Sequence, residues 1–249
     1  MKVLLSLIIT LVWATLWAQE NPVALKYAQQ LLYTAQTGES ATEMETALAS
    51  YDAAALQKEL NTDALRKTFW INVYNASVQN ALAKNPDWFN KPKSFLKRKF
   101  IIVAGNTISP NDIQNALLRN DAAGKPVKGK FAKKFAVENF DNRIHFALNN
   151  GSADAPPIYF YEAHSIEEQL KEATRNYIKS HVKMTERGFE VNVPEWFNWY
   201  LANFGGTDGL IALFRKQEVV YMNLTPRIVW LPYNWNPALK NFAAATADK

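Results

Sequence analysis

Apolar residues recur at intervals of three and four over most of this chain, and that spacing predicts a protein built mainly of helices. Helices are predicted within residues 22–60 (two, separated by a break at 37–40) and over 62–83, 109–119, 165–180, 195–204 and 208–216. Two of them begin with capping signals, at 109–112 and 165–168, where a serine is followed three positions later by an acidic residue. Trp196 and Trp199 lie one helical turn apart and are interpreted as core residues.

Shorter apolar runs bounded by turn residues predict strands. A hairpin is predicted over 100–108 around Gly105 and Asn106, an antiparallel pair over 181–185 and 189–193, and single strands over 143–148 and 228–231. Residues 120–141 contain glycine, proline and lysine residues and are predicted to form a long loop. The pattern therefore predicts an α+β fold, a helix-dominated single domain with short, mostly antiparallel strands.

The beginning of the chain has the order of a secretory signal peptide, with a lysine at position 2, an apolar run over 3–17, and then small and polar residues. The run is shorter than the roughly 20 residues that span a bilayer, which favours a cleavable signal over a permanent membrane span. The predicted division is a signal peptide at 1–18, an N-terminal helical segment at 19–60, an α+β domain at 61–240 and a disordered tail at 241–249. We therefore expect a periplasmic or secreted protein.

The composition excludes several kinds of chemistry. The chain has no cysteine, which rules out thiol catalysis, thiolate metal sites and disulfides. Its histidines form no H-E-x-x-H motif and no close cluster, and there is no glycine-rich phosphate loop, so no metal and no cofactor are expected. The formal net charge of +5 is mild, and together with the expected export it argues against nucleic acid as a partner.

The most informative segment is residues 145–157, with the sequence H-F-A-L-N-N-G-S-A-D-A-P-P. It places a histidine in an apolar run that continues into a Gly-Ser turn and a double proline, and rigid loops of this kind commonly carry site residues. Two further motifs accompany it, F-W-I-N-V-Y-N-A at 69–76 and L-P-Y-N-W at 231–235. Together these motifs resemble the family called domain of unknown function 547 (DUF547), over roughly residues 65–236.

The family pattern has cysteines at the positions of Asn150 and Ala155, and an aspartate at the position of Asn234. The resemblance implies that relatives with those residues have a thiol nucleophile, a histidine at the position of His145 and the aspartate as its partner. An alternative of equal weight is that the two cysteines form a local disulfide. This chain is a variant that lacks the family's signature cysteines.

Ser152 and Asp154 are the remaining loop residues with nucleophilic or acid–base chemistry. A pair of Ser152 and His145 would suit acyl transfer, but a serine after a glycine is ordinary in turns, and that interpretation is favoured. Asn72 and Asn75 share one face of the helix predicted at 62–83. They are interpreted as buried amides that fix a neighbouring loop, with direct ligand contact as the alternative.

Three functions are compatible with these residues. The first is a catalytically silent binding or accessory protein of the cell envelope, whose partner is an unknown small molecule or an envelope polymer. The second is an envelope hydrolase or transferase, and the third is a purely structural envelope protein. The candidate catalytic residues are His145, Ser152 and Asp154, and the candidate ligand-binding residues are His145, Asn150, Asn72, Asn75 and Asn234.

Overall fold

Helices form most of the residues that the computed structural model describes, which are 21–120, 129–221 and 223–244. The α-helices are α1 (Val23–Thr37), α2 (Thr42–Ala49), α3 (Ala53–Glu59), α4 (Asp63–Lys84), α5 (Pro92–Phe95), α6 (Pro110–Asp112), α7 (Lys130–Phe135), α8 (Ile166–His181), α9 (Trp196–Trp199) and α10 (Gly206–Lys216). A π-helical turn, Ile113–Leu118, continues α6, and 3₁₀ helices occur at Pro86–Asn90, Asn142–Phe146 and Leu201–Phe204. The strands are β1 (Ile101–Val103), β2 (Asn106–Ile108), β3 (Lys183–Met184), β4 (Glu190–Pro194) and β5 (Arg227–Leu231).

The central element of the domain is α4. Thr62 caps its start, because the Thr62 hydroxyl accepts a hydrogen bond from Leu65 N at 3.3 Å. α1 packs along α4 and contributes buried side chains such as Leu25 and Leu32. α4 is buried throughout residues 67–82, although this stretch carries the amide side chains of Asn72, Asn75, Gln79 and Asn80. Those amides need partners inside the protein, and they find them at the candidate site and on α1.

The N-terminal segment forms three helices, whereas two were predicted, because a second break separates α2 from α3. The additional helix, α3, begins at a cap: Asp52 Oδ1 accepts a hydrogen bond from Ala55 N at 2.7 Å. The β1–β2 hairpin closes on α2. The N–H groups of Ala104 and Gly105 donate to the last two carbonyl groups of α2, both at 2.9 Å. These bonds satisfy two of the terminal carbonyl groups of α2, and Ser50 Oγ satisfies another by donating to Thr46 O at 2.9 Å.

The strands form two small sheets. β1 and β2 pair antiparallel, as predicted, with Ile101 opposite Ile108. β3 and β4 also pair antiparallel, whereas β5 joins β4 in parallel, with Val191 opposite Ile228. A parallel pair needs a crossover connection, and α9 and α10 supply it here. The predicted α+β class with dominant helix is confirmed.

The predicted strand at 143–148 is wrong, because Asn142–Phe146 form a 3₁₀ helix. Asp141 starts this helix: its Oδ1 accepts a hydrogen bond from Arg143 N at 3.0 Å, and its carboxylate also pairs with the Arg143 guanidinium. The apolar run is buried on every side, and such short runs carry no period that separates helix from strand. His145 therefore projects from a helical turn.

One of the two predicted capping boxes is confirmed. Asp112 N donates to Ser109 Oγ at 3.0 Å, and Ser109 N donates to Asp112 Oδ2 at 2.9 Å. At α8, Ser165 makes no side-chain capping bond, so that box was wrongly predicted. The chain before α8 is held by Gln169 instead, whose Oε1 accepts from Glu162 N at 2.8 Å.

The region predicted as a long loop, 120–141, contains α7. Trp70 of α4 anchors it, since Trp70 Nε1 donates to Phe135 O at 2.9 Å and the indole packs edge-on against Phe131. The glycine, proline and lysine content of this region predicted irregular structure. It gave no sign that Phe131 and Phe135 anchor a helix to Trp70. Residues 121–128 lie outside the described part of the chain.

A second core of aromatic residues surrounds Phe146, and it includes Tyr177, Trp196, Phe197 and Phe204. Trp196 is buried there, as predicted for a core residue. Trp199 is 40% exposed, so its assignment to the core was wrong. The helix over 195–204 is interrupted at Tyr200, and Trp199 consequently points to the candidate site described below.

Two predicted segments involve residues that the structure does not fully describe. The predicted signal peptide at 1–18 lies outside the described residues. Of the predicted tail at 241–249, residues 241–244 are described and pack against the domain: Phe242 stacks on Phe160 at 5.9 Å between ring centroids, and Ala243 N donates to Ile158 O at 2.9 Å. Within the described residues, no helix is both long and apolar enough to cross a membrane.

Candidate functional site

The site loop, residues 147–158, is held from below by the amides of α4. Asn75 Nδ2 donates to Ala147 O at 2.9 Å, and Asn75 Oδ1 accepts from Asn149 N at 2.8 Å. Gln79 Nε2 adds a bond to Asn149 Oδ1 at 3.1 Å. The interpretation of Asn75 as an amide that fixes a neighbouring loop is confirmed by these contacts. Both functional atoms of its side chain are used on backbone groups, and Asn75 does not line the cavity beside His145.

Asn72 makes the same kind of contact one turn earlier on α4. Its Nδ2 donates to Tyr161 O at 2.9 Å, and its Oδ1 accepts from Tyr161 N at 3.2 Å. Asn72 is fully buried and fixes the segment that follows the double proline. Like Asn75, it holds the frame of the site and lies outside the lining of the cavity.

Gly151 makes the sharp turn at the centre of the site loop. Its φ of +88° is in the left-handed region, and a Cβ added there would lie 2.6 Å from Leu82 Cδ1. Gly151 N also donates to Asn149 Oδ1 at 2.9 Å. Glycine is therefore required both by the backbone conformation and by the close approach of the loop to α4.

The C-terminal segment, residues 232–243, lies across the site loop. Ala153 N donates to Asn236 O at 2.9 Å, and Ala238 N donates to Gly151 O at 2.8 Å. Asn234 N donates to Asp154 Oδ2 at 2.7 Å, so the structure brings these two predicted site residues together. Asn234 is exposed, and neither it nor Asp154 lines the cavity beside His145.

His145 is buried in an aromatic environment. Its ring stacks on Tyr200 with centroids 4.3 Å apart, and Phe204 and Trp196 lie within 6.1 Å. His145 Nε2 lies 3.1 Å from Asn203 Oδ1. The residue that orients the imidazole is therefore Asn203, whereas the family resemblance implied the residue at the position of Asn234.

The partners of Asn203 fix the tautomer of His145. Arg119 Nε donates to Asn203 Oδ1 at 3.1 Å, and because a guanidinium can only donate, that Asn203 atom must be the amide oxygen. The oxygen then accepts the proton of His145 Nε2, which leaves the lone pair on Nδ1. The pKa of His145 is lowered to about 3, mainly by burial; the hydrogen bond to Asn203 raises it in part, and the nearby charge of Arg119 adds to the lowering. His145 is thus a neutral hydrogen-bond acceptor at neutral pH.

Asn150, Ser152 and Tyr233 form a closed ring of hydrogen bonds. Ser152 Oγ donates to Asn150 Oδ1 at 2.6 Å, and Asn150 Nδ2 donates to the Tyr233 hydroxyl at 3.0 Å. The Tyr233 hydroxyl lies 2.6 Å from Ser152 Oγ and completes the ring. Burial raises the pKa of Tyr233 to about 12, so its hydroxyl stays protonated. The described hydrogen bonds of Ser152 do not include one to His145.

A small cavity lies between His145 and this ring. Its volume is about 70 Å³. Trp199 and Trp235 stand at its side with nearly parallel rings, 5.7 Å between centroids and 12° between planes. The cavity is lined by Tyr74, Leu96, Gln114, His145, Leu148, Asn150, Pro156, Trp196, Trp199, Tyr200, Tyr233 and Trp235. All these side chains are uncharged, given the low pKa of His145.

Sequence reasoning found part of this site and missed part of it. His145 and Asn150 were predicted, and both line the cavity. Asn203 and Tyr200 were missed, although their spacing of three residues places them on the same side of a helical turn. Tyr233 stood in a quoted motif without an assigned role. Within the described residues, no group of three or more His, Asp or Glu residues is arranged to hold a metal ion.

These features define a helix-dominated α+β domain with a neutral, buried histidine beside a ring of uncharged polar side chains. The family model described as "Protein of unknown function, DUF547" matches residues 57–178, which include α4, the site loop and most of α8. The resemblance seen in the motifs is confirmed over these residues. Comparison with curated proteins and with solved structures gave no match.

Proposed function

We propose that this protein is an exported binding or accessory protein of the cell envelope, whose site beside His145 recognises a ligand without catalysing a reaction. The observation that carries the proposal is the closed ring of Asn150, Ser152 and Tyr233. In this ring the Ser152 hydroxyl donates its proton to an amide oxygen at 2.6 Å. A serine nucleophile would instead need an adjacent base, and the described hydrogen bonds of Ser152 Oγ go to Asn150 and Tyr233.

The size and polarity of the cavity indicate what kind of group would enter it. A volume of about 70 Å³ admits only a small group. Its polar residues, such as His145 and Asn150, are uncharged and suit an uncharged partner. We therefore propose an envelope polymer or fragment that carries a small neutral substituent, such as the acetamido group of an N-acetylated glycan. The rest of such a ligand would lie outside the cavity, beside Trp199 and Trp235.

Two alternatives have less support. An envelope hydrolase or transferase would use His145 with Ser152 or Asp154, but a histidine with a pKa of about 3 is a weak base at neutral pH. Asp154 accepts a hydrogen bond from Asn234 N at 2.7 Å and lies outside the cavity lining. A purely structural protein would not require a cavity beside His145. The signal-like N-terminus is the support for export in all three cases.

A thermal-shift screen of the purified protein tests the proposal. The ligands are N-acetylglucosamine oligomers, their deacetylated counterparts, muropeptides and short peptides. A ligand present at 100 times its Kd should stabilise the protein by about 2.7 kcal/mol, which such a screen detects. We expect the acetylated oligomers or muropeptides to shift the melting temperature and the deacetylated oligomers to have little effect.

Two aromatic variants locate the binding. Trp199→Ala removes a ring that is 40% exposed at the cavity and should reduce the shift. Phe189→Ala removes a ring that is 74% exposed and lies outside the cavity lining, so it should leave the shift unchanged. Equal shifts in both variants, or no shift with any ligand, would contradict the proposal. Turnover of any fragment that His145→Ala abolishes would establish the hydrolase alternative instead.

A further inference from the structure

A second and larger cavity lies between the N-terminal helices and the β1–β2 hairpin, and we call it the hairpin cleft. Its volume is about 330 Å³, compared with about 70 Å³ beside His145. Small-molecule sites commonly have volumes of about 300–1,000 Å³, so the hairpin cleft is large enough to hold one. Its walls are largely apolar and include Leu31, Leu48, Val73, Ala81, Phe100 and Val103.

The polar side chains that line the hairpin cleft are Thr42, Glu45, Thr46 and Ser77. The first three have partners within the protein. Thr46 Oγ1 donates to Thr42 O at 2.7 Å, and Thr42 Oγ1 accepts from Ser40 Oγ at 3.1 Å. The Glu45 carboxylate pairs with Lys84 Nζ at 3.2 Å, and both side chains are about half exposed. This ion pair therefore marks the mouth of the cleft and leaves it without net charge.

Ser77 differs from the other three polar residues. It is only 9% exposed, and its hydroxyl makes no hydrogen bond to any residue that the structure describes. A serine hydroxyl has one proton to donate and two lone pairs, and at Ser77 these are available to a group that enters the cleft. Ser77 follows Val73 and precedes Ala81 on the same face of α4, so its hydroxyl lies among the apolar groups of the cleft wall.

We propose that the hairpin cleft binds an aliphatic chain that carries an uncharged hydrogen-bonding group, such as a hydroxyl or an acyl carbonyl, which pairs with Ser77. The apolar walls suit the chain, and the unpartnered Ser77 hydroxyl supplies the one polar contact. The Glu45–Lys84 pair leaves no net charge at the mouth, and a charged group would lose its hydration inside the largely apolar cleft. The cleft therefore favours a neutral ligand. This site is separate from the one beside His145, and the inference does not depend on the function proposed there.

Titration of the purified protein with 1-octanol tests this inference, followed by melting temperature and by calorimetry. Octanoate and octylammonium serve as charged ligands of the same chain length. We expect 1-octanol to bind saturably and more tightly than either charged ligand. Ser77→Ala should weaken the binding of 1-octanol about five-fold, the effect of one hydrogen bond of ordinary strength. Ser180→Ala removes an exposed hydroxyl on α8 and should not change it.

A filling variant locates the ligand in the cleft. Ala81→Leu places extra methyl groups in the cleft wall and should abolish the binding of 1-octanol, whereas Ala212→Leu on the exposed face of α10 should not. Far-UV circular dichroism checks that each variant folds, and Ala49→Leu replaces Ala81→Leu if the latter does not. Unchanged affinity in the filling variant or in Ser77→Ala would overturn the proposal, as would the absence of saturable binding.

Discussion

Replacement of Gly151 by alanine is the sharpest test of how closely the site loop approaches α4. Gly151 has a φ of +88°, and an added Cβ would lie 2.6 Å from Leu82 Cδ1. Gly105 is a matched control, because its φ is +72° but no atom lies within 4 Å of an added Cβ. Both alanine variants therefore have a strained backbone, and only Gly151→Ala adds a steric clash.

The two effects have different magnitudes. A left-handed conformation costs a residue with a Cβ roughly 1–2 kcal/mol, and Gly105→Ala should lower the free energy of unfolding by about that amount. Overpacking in a core typically costs about 1–3 kcal/mol. Leu82 can relieve part of the clash by turning the tip of its side chain. We therefore expect an overpacking cost of about 1–2 kcal/mol at Gly151, at the lower end of that range. Gly151→Ala should then lower the free energy of unfolding by about 2–4 kcal/mol.

Urea denaturation at neutral pH measures both variants, with the midpoint and the slope fitted together. Leu82→Ala in the Gly151→Ala background supplies a third comparison, because it removes the atom with which the new Cβ collides. The double variant should show a favourable coupling energy between the two positions. Equal losses for Gly151→Ala and Gly105→Ala, with no coupling to Leu82, would refute the argument.

Three other changes have expected outcomes. Asn75→Ala leaves two buried backbone groups of the site loop without partners and should lower the free energy of unfolding by about 2–4 kcal/mol in urea denaturation. Tyr233→Phe opens the hydrogen-bond ring and should lower the free energy of unfolding by about 1–2 kcal/mol. In a double-mutant cycle with Ser152→Ala, the coupling energy should be above about 0.5 kcal/mol. The pKa of His145 is about 3 in the folded protein and 6.5 ordinarily, so the unfolded chain takes up the proton first, and stability is lost as pH falls from 6.5 towards 3. The free energy of unfolding of the wild type, relative to that of His145→Gln, should therefore fall as pH is lowered from 6.5 to 3. A difference that stays constant over this range would contradict the low pKa of His145.

The fold was predictable where periodicity extends over several turns. The 62–83 helix was expected almost as it occurs, as Asp63–Lys84, and the helix at 165–180 occurs as Ile166–His181. The failure at 143–148 has a local cause, since Asp141 caps a short apolar run whose spacing does not distinguish a 3₁₀ helix from a strand. The region of α7 failed for a different reason: its two anchoring phenylalanines are identified only by their contacts with Trp70.

The sequence predicted those residues of the site that lie within one continuous segment. His145, Asn150 and Ser152 occur within a single motif, and the structure keeps them within one loop and the turn before it. Asn203 lies 58 residues from His145 along the chain, and the interruption of the helix at Tyr200 sets its direction. No local pattern encodes that contact. The family pattern implied that the residue at the position of Asn234 is the partner of the histidine. In the structure, the backbone N–H of Asn234 donates to Asp154 Oδ2 instead.

The buried amides of α4 also determine how that helix is oriented about its own axis. A helix with only apolar side chains in these positions could rotate by one residue, about 100°, and still bury similar hydrocarbon. In α4 such a rotation would separate Asn72, Asn75 and Gln79 from the backbone and side-chain groups they bind, leaving each amide unpaired at roughly 1–3 kcal/mol. The orientation with the amides towards the site loop is therefore favoured over its neighbours by several kcal/mol. Substitutions that make α4 more hydrophobic would then yield a protein that stays folded but loses the single arrangement of its interior.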